Sequence, residues 1–210
     1  MKSIKRLFAV LLLLCSFNVF AADYTLVDPP QPTHTSKIEV LEFFFYGCIH
    51  CFHLEPLMSS WQKNMPPDVE FTYVPAAFNP VWETSGRTFY ALEAMGQRAQ
   101  VHEALFNAWN VSGIELRDQE STAEFLSRNG IDSKKFNDAY SSFRVQSDIA
   151  RAKQLGLAYK IRGTPTVIVD GRYLITGLQP EDTMRVMESL IEKVRKERAA
   201  AAKPAKPTKK

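Results

Sequence analysis

The fold is decided at residues 42–56, "EFFFYGCIHCFHLEP", where two cysteines, Cys48 and Cys51, enclose Ile49 and His50. Upstream, "KIEVLEFFFY" (37–46) is aromatic and β-branched without polar–apolar alternation, the pattern of a strand covered on both faces. Downstream, "CFHLEPLMSSWQKNM" (51–65) carries Phe52, Leu57, Met58 and Trp61 at helical spacing. Pro56 lies inside this helix and predicts a kink, because it removes one N–H and crowds the preceding turn. The cysteines therefore sit where a strand runs into a helix beginning at about Cys48. Positions three apart on a helix share a face, roughly 5–6 Å apart at Cα, within the span of a disulfide.

Working outward, "VEFTYVPAAF" (69–78) reads as a second strand, giving β-α-β and a parallel pair. The middle of the chain is helical: from Thr84 to about Asn110, Phe89, Leu92, Met95, Val101, Leu105, Phe106 and Trp109 recur at three and four, in two helices broken near Gly96. Ser121 and Glu124 form a capping box opening "TAEFLSRNG", which ends at Gly130. "DSKKFNDAYSSF" and "RVQSDIARAKQLG" continue helical and stop at Gly156. Strands return in "TVIVD" and "RYLITG", joined by a turn at Asp170-Gly171, and Pro180, Glu181 and Asp182 open the last helix. The expected class is α/β: a sheet-and-helix unit in two parts, residues 22–82 and 144–199, around an all-helical insertion at 83–143.

The ends are of a different kind. Lys2, Lys5 and Arg6 precede an apolar run from Leu7 to Cys15, and the segment closes in "NVFAAD". This predicts a secretory signal peptide, residues 1–21, cut after Ala21 with Ala22 as the second choice, and hence export to an oxidising compartment. The tail from residue 200, rich in Ala, Lys and Pro, predicts a disordered basic extension. The formal charge of +3 resides in the leader's three basic residues, leaving 23 basic and 23 acidic residues, so bulk charge argues against nucleic-acid binding.

Of three cysteines, Cys15 leaves with the leader. A staple across two residues restrains an unfolded chain very little, so the Cys48–Cys51 pair points to chemistry rather than stability. At the open end of a helix, Cys48 faces unpaired N–H groups and the positive end of the dipole, which favours thiolate; Cys51, one turn deeper, is the resolving partner. His50 places a further donor or partial charge beside the sulfur. Whatever stabilises the Cys48 thiolate stabilises the reduced form and makes the disulfide the stronger oxidant. A metal clamp from Cys48, Cys51 and His50 or His53 lacks a second pair of ligands, since His34 and His102 are isolated in sequence. Glu42, on an apolar strand six residues before Cys48, is a candidate buried carboxylate that exchanges a proton with Cys51; Glu55 is placed to serve similarly or to face solvent. Pro165, after Gly163-Thr164 and before a strand, suits a cis peptide in a tight turn.

A strand leading into C-x-H-C, a parallel strand, a helical insertion, then G-T-P-T before a hairpin and helix resembles the DsbA family of thioredoxin-fold periplasmic thiol:disulfide oxidoreductases. The resemblance implies that Cys48 is the nucleophilic cysteine and Cys51 its buried partner. It implies that His50 makes the disulfide strongly oxidising, that Pro165 is the cis-proline against the disulfide, that Thr164 offers backbone groups to a substrate strand, and that Glu42 is the family's buried acid. It further implies a monomer with no cofactor beyond its own disulfide, which takes thiols from newly exported polypeptides and is reoxidised by a DsbB-like, quinone-coupled membrane protein. Ile49 stands where proline is commonest and Thr164 where valine is, and Thr164 is able to hydrogen-bond the Cys48 sulfur. Where the family often has a lysine facing the buried acid, this chain has Tyr73. The competing readings are a disulfide isomerase or reductase and a Cys/His metal-binding module; an isomerase would carry a dimerisation domain, for which Ala22–Lys37 is too short.

Overall fold

The computed structural model describes residues 23–202; the leader, its cleavage site and residues 203–210 of the tail lie outside them. Five strands form one sheet: β1 (Thr25–Leu26), β2 (Ile38–Phe44), β3 (Val69–Pro75), β4 (Thr166–Val169) and β5 (Tyr173–Thr176), in the order β1-β5-β4-β2-β3. Seven helices are described: α1 (Ile49–Lys63), α2 (Pro80–Ala94), α3 (Arg98–Asn110), α4 (Gln119–Arg128), α5 (Ser133–Tyr140), α6 (Phe143–Ala158) and α7 (Pro180–Ala201). The β2–β3 pair is parallel, across the crossover helix α1, and the other pairings are antiparallel. This is the expected α/β unit with a helical block between its halves.

Strand β2 is central and buried at all seven positions, which explains its unbroken apolar reading. Alternation sends Val40, Glu42 and Phe44 to one face and Leu41 and Phe43 to the other. On the first face lies the main core, with Cys51, Leu54 and Met58 of α1 and Val186, Met187, Leu190 and Val194 of α7. On the second, Leu41 and Phe43 pack with Val74, Ala152, Tyr159 and Ile168 beneath α6. Glu42 consequently points into the layer occupied by α1.

Several boundaries differ from the sequence reading. The first middle helix begins at Pro80, capped by Asn79, whose side chain accepts from the Trp82 N–H; proline at the first helical position is what the reading from Thr84 omitted. The capping box at Ser121 does not form: Asp118 caps α4, and Ser121 is the donor to it, since a carboxylate at the positive helix end outcompetes a hydroxyl three residues on. Helix α6 passes through Gly156 to Ala158: Gly156 keeps a negative φ and does not act as a C-cap. Helix α7 runs to Ala201, past the expected start of the tail, as the high helix propensity of alanine favours. The two-residue strand β1 carries too short a pattern to be read from sequence.

The β4–β5 turn has positive φ at both Asp170 (54°) and Gly171 (66°), a type I′ geometry matched to strand twist. A Cβ on Gly171 would lie 2.1 Å from the Gln31 carbonyl oxygen. Replacing Gly171 by Ala is expected to cost about 1–3 kcal/mol, read as a lowered urea midpoint. Gly163→Ala, at a position with open space around it, should stay within about 0.5 kcal/mol of the parent.

Candidate active site at the start of helix α1

After Phe44 the chain turns through Phe45–Gly47, and the Cys48 N–H donates to the Phe45 carbonyl at 3.0 Å. Gly47 is required here because a Cβ would stand 2.5 Å from the Phe45 ring and 2.9 Å from Trp109. Phe45 is itself stacked on Trp82 with ring centroids 4.5 Å apart, so these rings set the direction in which Cys48 enters the helix.

Cys48 is the N-cap of α1 rather than its first helical residue. Its side chain does what a serine or aspartate does at that position: Sγ accepts from the Cys51 N–H at 3.4 Å. The two cysteines are free thiols, Cys48 partly exposed and Cys51 buried. The Cys48 pKa falls to about 5. The largest cause is hydrogen bonding from the Cys51 side chain; the Thr164 side chain and the N–H groups of Cys51 and His50 add to it, against the opposing effect of partial burial. Cys51 moves the opposite way: burial raises its pKa well above the ordinary thiol value, and Cys48 and Glu42 push it further. One sulfur is thus poised as thiolate and the other as thiol.

The second wall of the site is the turn before β4. The Thr164–Pro165 peptide is cis, and as a thiol Cys48 donates to the Thr164 carbonyl at 3.3 Å. The His50 side chain is exposed, and what His50 supplies to the sulfur here is its backbone N–H.

Glu42 is 1% exposed and its Oε2 has no hydrogen-bond partner. Burial raises its pKa well above the carboxylate range, with Glu55 and Cys48 contributing next. Tyr73 is its register neighbour on β3, yet the Tyr73 hydroxyl is directed elsewhere: it donates to Glu55 Oε2 at 2.8 Å and accepts from Gln62 Nε2 at 2.7 Å. Among the described residues, Glu42 therefore has no counter-charge.

His102 is not isolated. It is buried, with Nδ1 2.8 Å from the Tyr46 hydroxyl and Nε2 3.5 Å from Glu55 Oε1. The signal for it lay in the sequence: His102 is four residues before Phe106 and adjoins Val101, on the apolar stripe of α3. Among the described residues no three His, Cys, Asp or Glu side chains are grouped to hold a metal ion.

Two outcomes follow from this geometry. Ultraviolet thiolate absorbance of the reduced protein should titrate with a midpoint at about 5. Because that value is depressed on folding, the thiolate stabilises the reduced protein at and above the ordinary thiol pKa, and this stabilisation declines as pH falls towards about 5. Thr164→Val removes a donor to the sulfur and should raise the midpoint by about half a unit to one unit; an unchanged midpoint would exclude the hydroxyl as a contributor.

Residues 83–187 match the model of the DSBA-like thioredoxin domain, a stretch that includes Thr164 and Pro165 but not the two cysteines. The chain is 44% identical over 172 residues to the thiol:disulfide interchange protein DsbA of Azotobacter vinelandii, covering 78% of this chain and 80% of that protein. It is 39% identical over 185 residues to the DsbA of Pseudomonas aeruginosa, with 86% of each covered. The crystal structure of Pseudomonas aeruginosa DsbA superposes with a TM-score of 0.80 at 39% identity, covering 87% of this chain and 95% of that one. The oxidoreductase NmDsbA1 of Neisseria meningitidis gives 0.77 at 31% identity, covering 86% and 96%. A helix that opens on a capping cysteine, a partner thiol buried one turn below it and a cis-proline turn against the first sulfur agree with these likenesses, and the chain belongs to the DsbA-like family of thioredoxin-fold proteins.

Proposed function

We propose that this protein is a periplasmic disulfide donor that oxidises thiols of newly exported polypeptides. The observation that carries the reading is the opposed poise of the two sulfurs, Cys48 with a pKa of about 5 and Cys51 held well above the ordinary thiol value. Stabilising the Cys48 thiolate stabilises the reduced enzyme, so the Cys48–Cys51 disulfide tends to give itself away.

In the oxidised enzyme a substrate thiolate attacks Cys48 Sγ. The Cys48–Cys51 bond breaks and Cys51 leaves with the electron pair. Buried beneath the helix, the Cys51 thiolate takes a proton, for which Glu42 is the nearby carboxylic acid; burial keeps that acid protonated until it is needed. A second substrate thiolate then attacks the substrate sulfur of the mixed disulfide, and Cys48 departs as the stabilised thiolate. Two electrons pass from two substrate thiols to the enzyme, and the substrate leaves with a new disulfide. Thr164 and Pro165 line the approach to Cys48, where an extended substrate segment can pair with the backbone of Thr164 regardless of its sequence.

Reoxidation falls to a DsbB-like, quinone-coupled membrane protein, and the enzyme works as a monomer with no cofactor apart from its disulfide. The leader at residues 1–21 supplies the export route. No described helix is long and apolar enough to cross a membrane.

Mixing C51S with reduced, unfolded thiol-containing protein in the presence of an oxidant should accumulate a covalent enzyme–substrate adduct through Cys48, whereas C48S should accumulate none. Equal trapping by both variants would contradict the unequal roles.

A further inference from the structure

The turn that delivers Cys48 is held from the helical block. Three residues of α3 spaced by four, His102, Phe106 and Asn110, meet Tyr46, which lies two residues before Cys48. Residues so spaced share one face of a helix. His102 Nδ1 is 2.8 Å from the Tyr46 hydroxyl, and the Phe106 and Tyr46 rings pack edge to face with centroids 4.9 Å apart. Asn110, the last residue of α3, reaches the backbone: its Nδ2 donates to the Tyr46 carbonyl at 2.8 Å and to the Phe106 carbonyl at 2.8 Å. One face of α3 therefore holds Tyr46 by hydroxyl, ring and carbonyl.

The carbonyl contact bears most directly on Cys48, because that carbonyl belongs to the peptide leading into Gly47. Tyr46 is 1% exposed, and a buried carbonyl without a donor is costly. Among the described residues no backbone N–H donates to it. The rings of Phe45 and Trp109 require glycine at position 47, and glycine leaves the adjoining backbone free to take other conformations. The turn thus combines a residue that permits rotation with a carbonyl that needs a partner, and Asn110 answers both. Cys48 Sγ accepts from the Cys51 N–H at 3.4 Å, so rotation of the peptide before Gly47 would carry the sulfur away from the helix start that it caps.

This second bond is not what a helix end requires. Asn129 closes α4 in the same local way, its Nδ2 donating to the carbonyl of Phe125, four residues back, at 2.8 Å. Asn110 makes the same bond to Phe106 and adds one to a residue 64 positions away. Both its partners are carbonyls, which only the amide NH2 can serve together. We propose that Asn110 is a positioning residue: by tying the Tyr46 carbonyl to the end of α3 it holds the turn from which Cys48 enters α1, so that the helical insertion sets how readily the disulfide is given away. The role rests on Cys48 being the exchanging sulfur.

The test follows thiolate absorbance against pH, and the equilibrium with glutathione, in the parent, N110A, N110S and N129A. Serine has one hydroxyl proton, which bonds the carbonyl four residues back and leaves Tyr46 without a donor. N110A and N110S should each raise the Cys48 midpoint by about half a unit or more and lower the equilibrium constant for oxidising glutathione about threefold. N129A loses the same helix-end bond; it should lower the urea midpoint and leave both readings at the parent's values. Unchanged readings in N110A and N110S, or an equal displacement in N129A, would overturn the proposal. Should N110A not fold, N110S decides. If the readings move as expected but the oxidised parent transfers no disulfide to unfolded thiol-containing protein, the positioning role stands and the donor reading alone fails.

Discussion

The site rests on a sulfur placed where a helix needs a hydrogen-bond acceptor. The first turn of any helix leaves N–H groups without partners and concentrates the positive end of the backbone dipole there. In most helices a serine, threonine, asparagine or aspartate answers that need. In α1 it is Cys48, whose sulfur receives the Cys51 N–H at 3.4 Å. A capping group that bears negative charge satisfies the helix better than a neutral one, so the backbone selects the thiolate. That selection is lost once the sulfur is tied into a disulfide.

Much of the remaining architecture serves this placement. Strand β2 is buried on both faces between β3 and β4, which fixes the point at which α1 begins. The packed rings of Phe45, Trp82 and Trp109 leave no room for a side chain at Gly47. The turn at Thr164–Pro165 comes from a distant part of the chain to close the other side of the sulfur. The helical block supplies His102, Phe106 and Asn110, which meet Tyr46 in the turn before Cys48. Burial then separates two chemically identical thiols: Cys48 keeps contact with solvent, and Cys51 has none.

How much of this the sequence disclosed depended on the range of the interaction concerned. The strand, the two cysteines and the helix lie within one short stretch, and their period and spacing were legible. So were the turn residues Asp170-Gly171 and the proline of Thr164–Pro165, because local backbone chemistry decides them. Glu42 stood out as a charge on an apolar strand. The apolar stripe of α3 signalled that His102 is buried, but its neighbours Tyr46 and Glu55, from the turn after β2 and from α1, are brought to it only by folding. The boundary at Pro80 and the cap at Asp118 were misplaced for a milder reason: helices have several candidate starts within a few residues, and small differences in capping energy choose between them.

The most direct test of the account is the equilibrium of the Cys48–Cys51 pair against glutathione redox buffers, following the fraction oxidised. A capped thiolate predicts a pair that is reduced across most glutathione mixtures, with a potential well above the glutathione pool, towards the about −120 mV known for DsbA itself. A potential near about −270 mV, the value for thioredoxin, would mean that the helix start does not favour the reduced form, and would contradict the central claim.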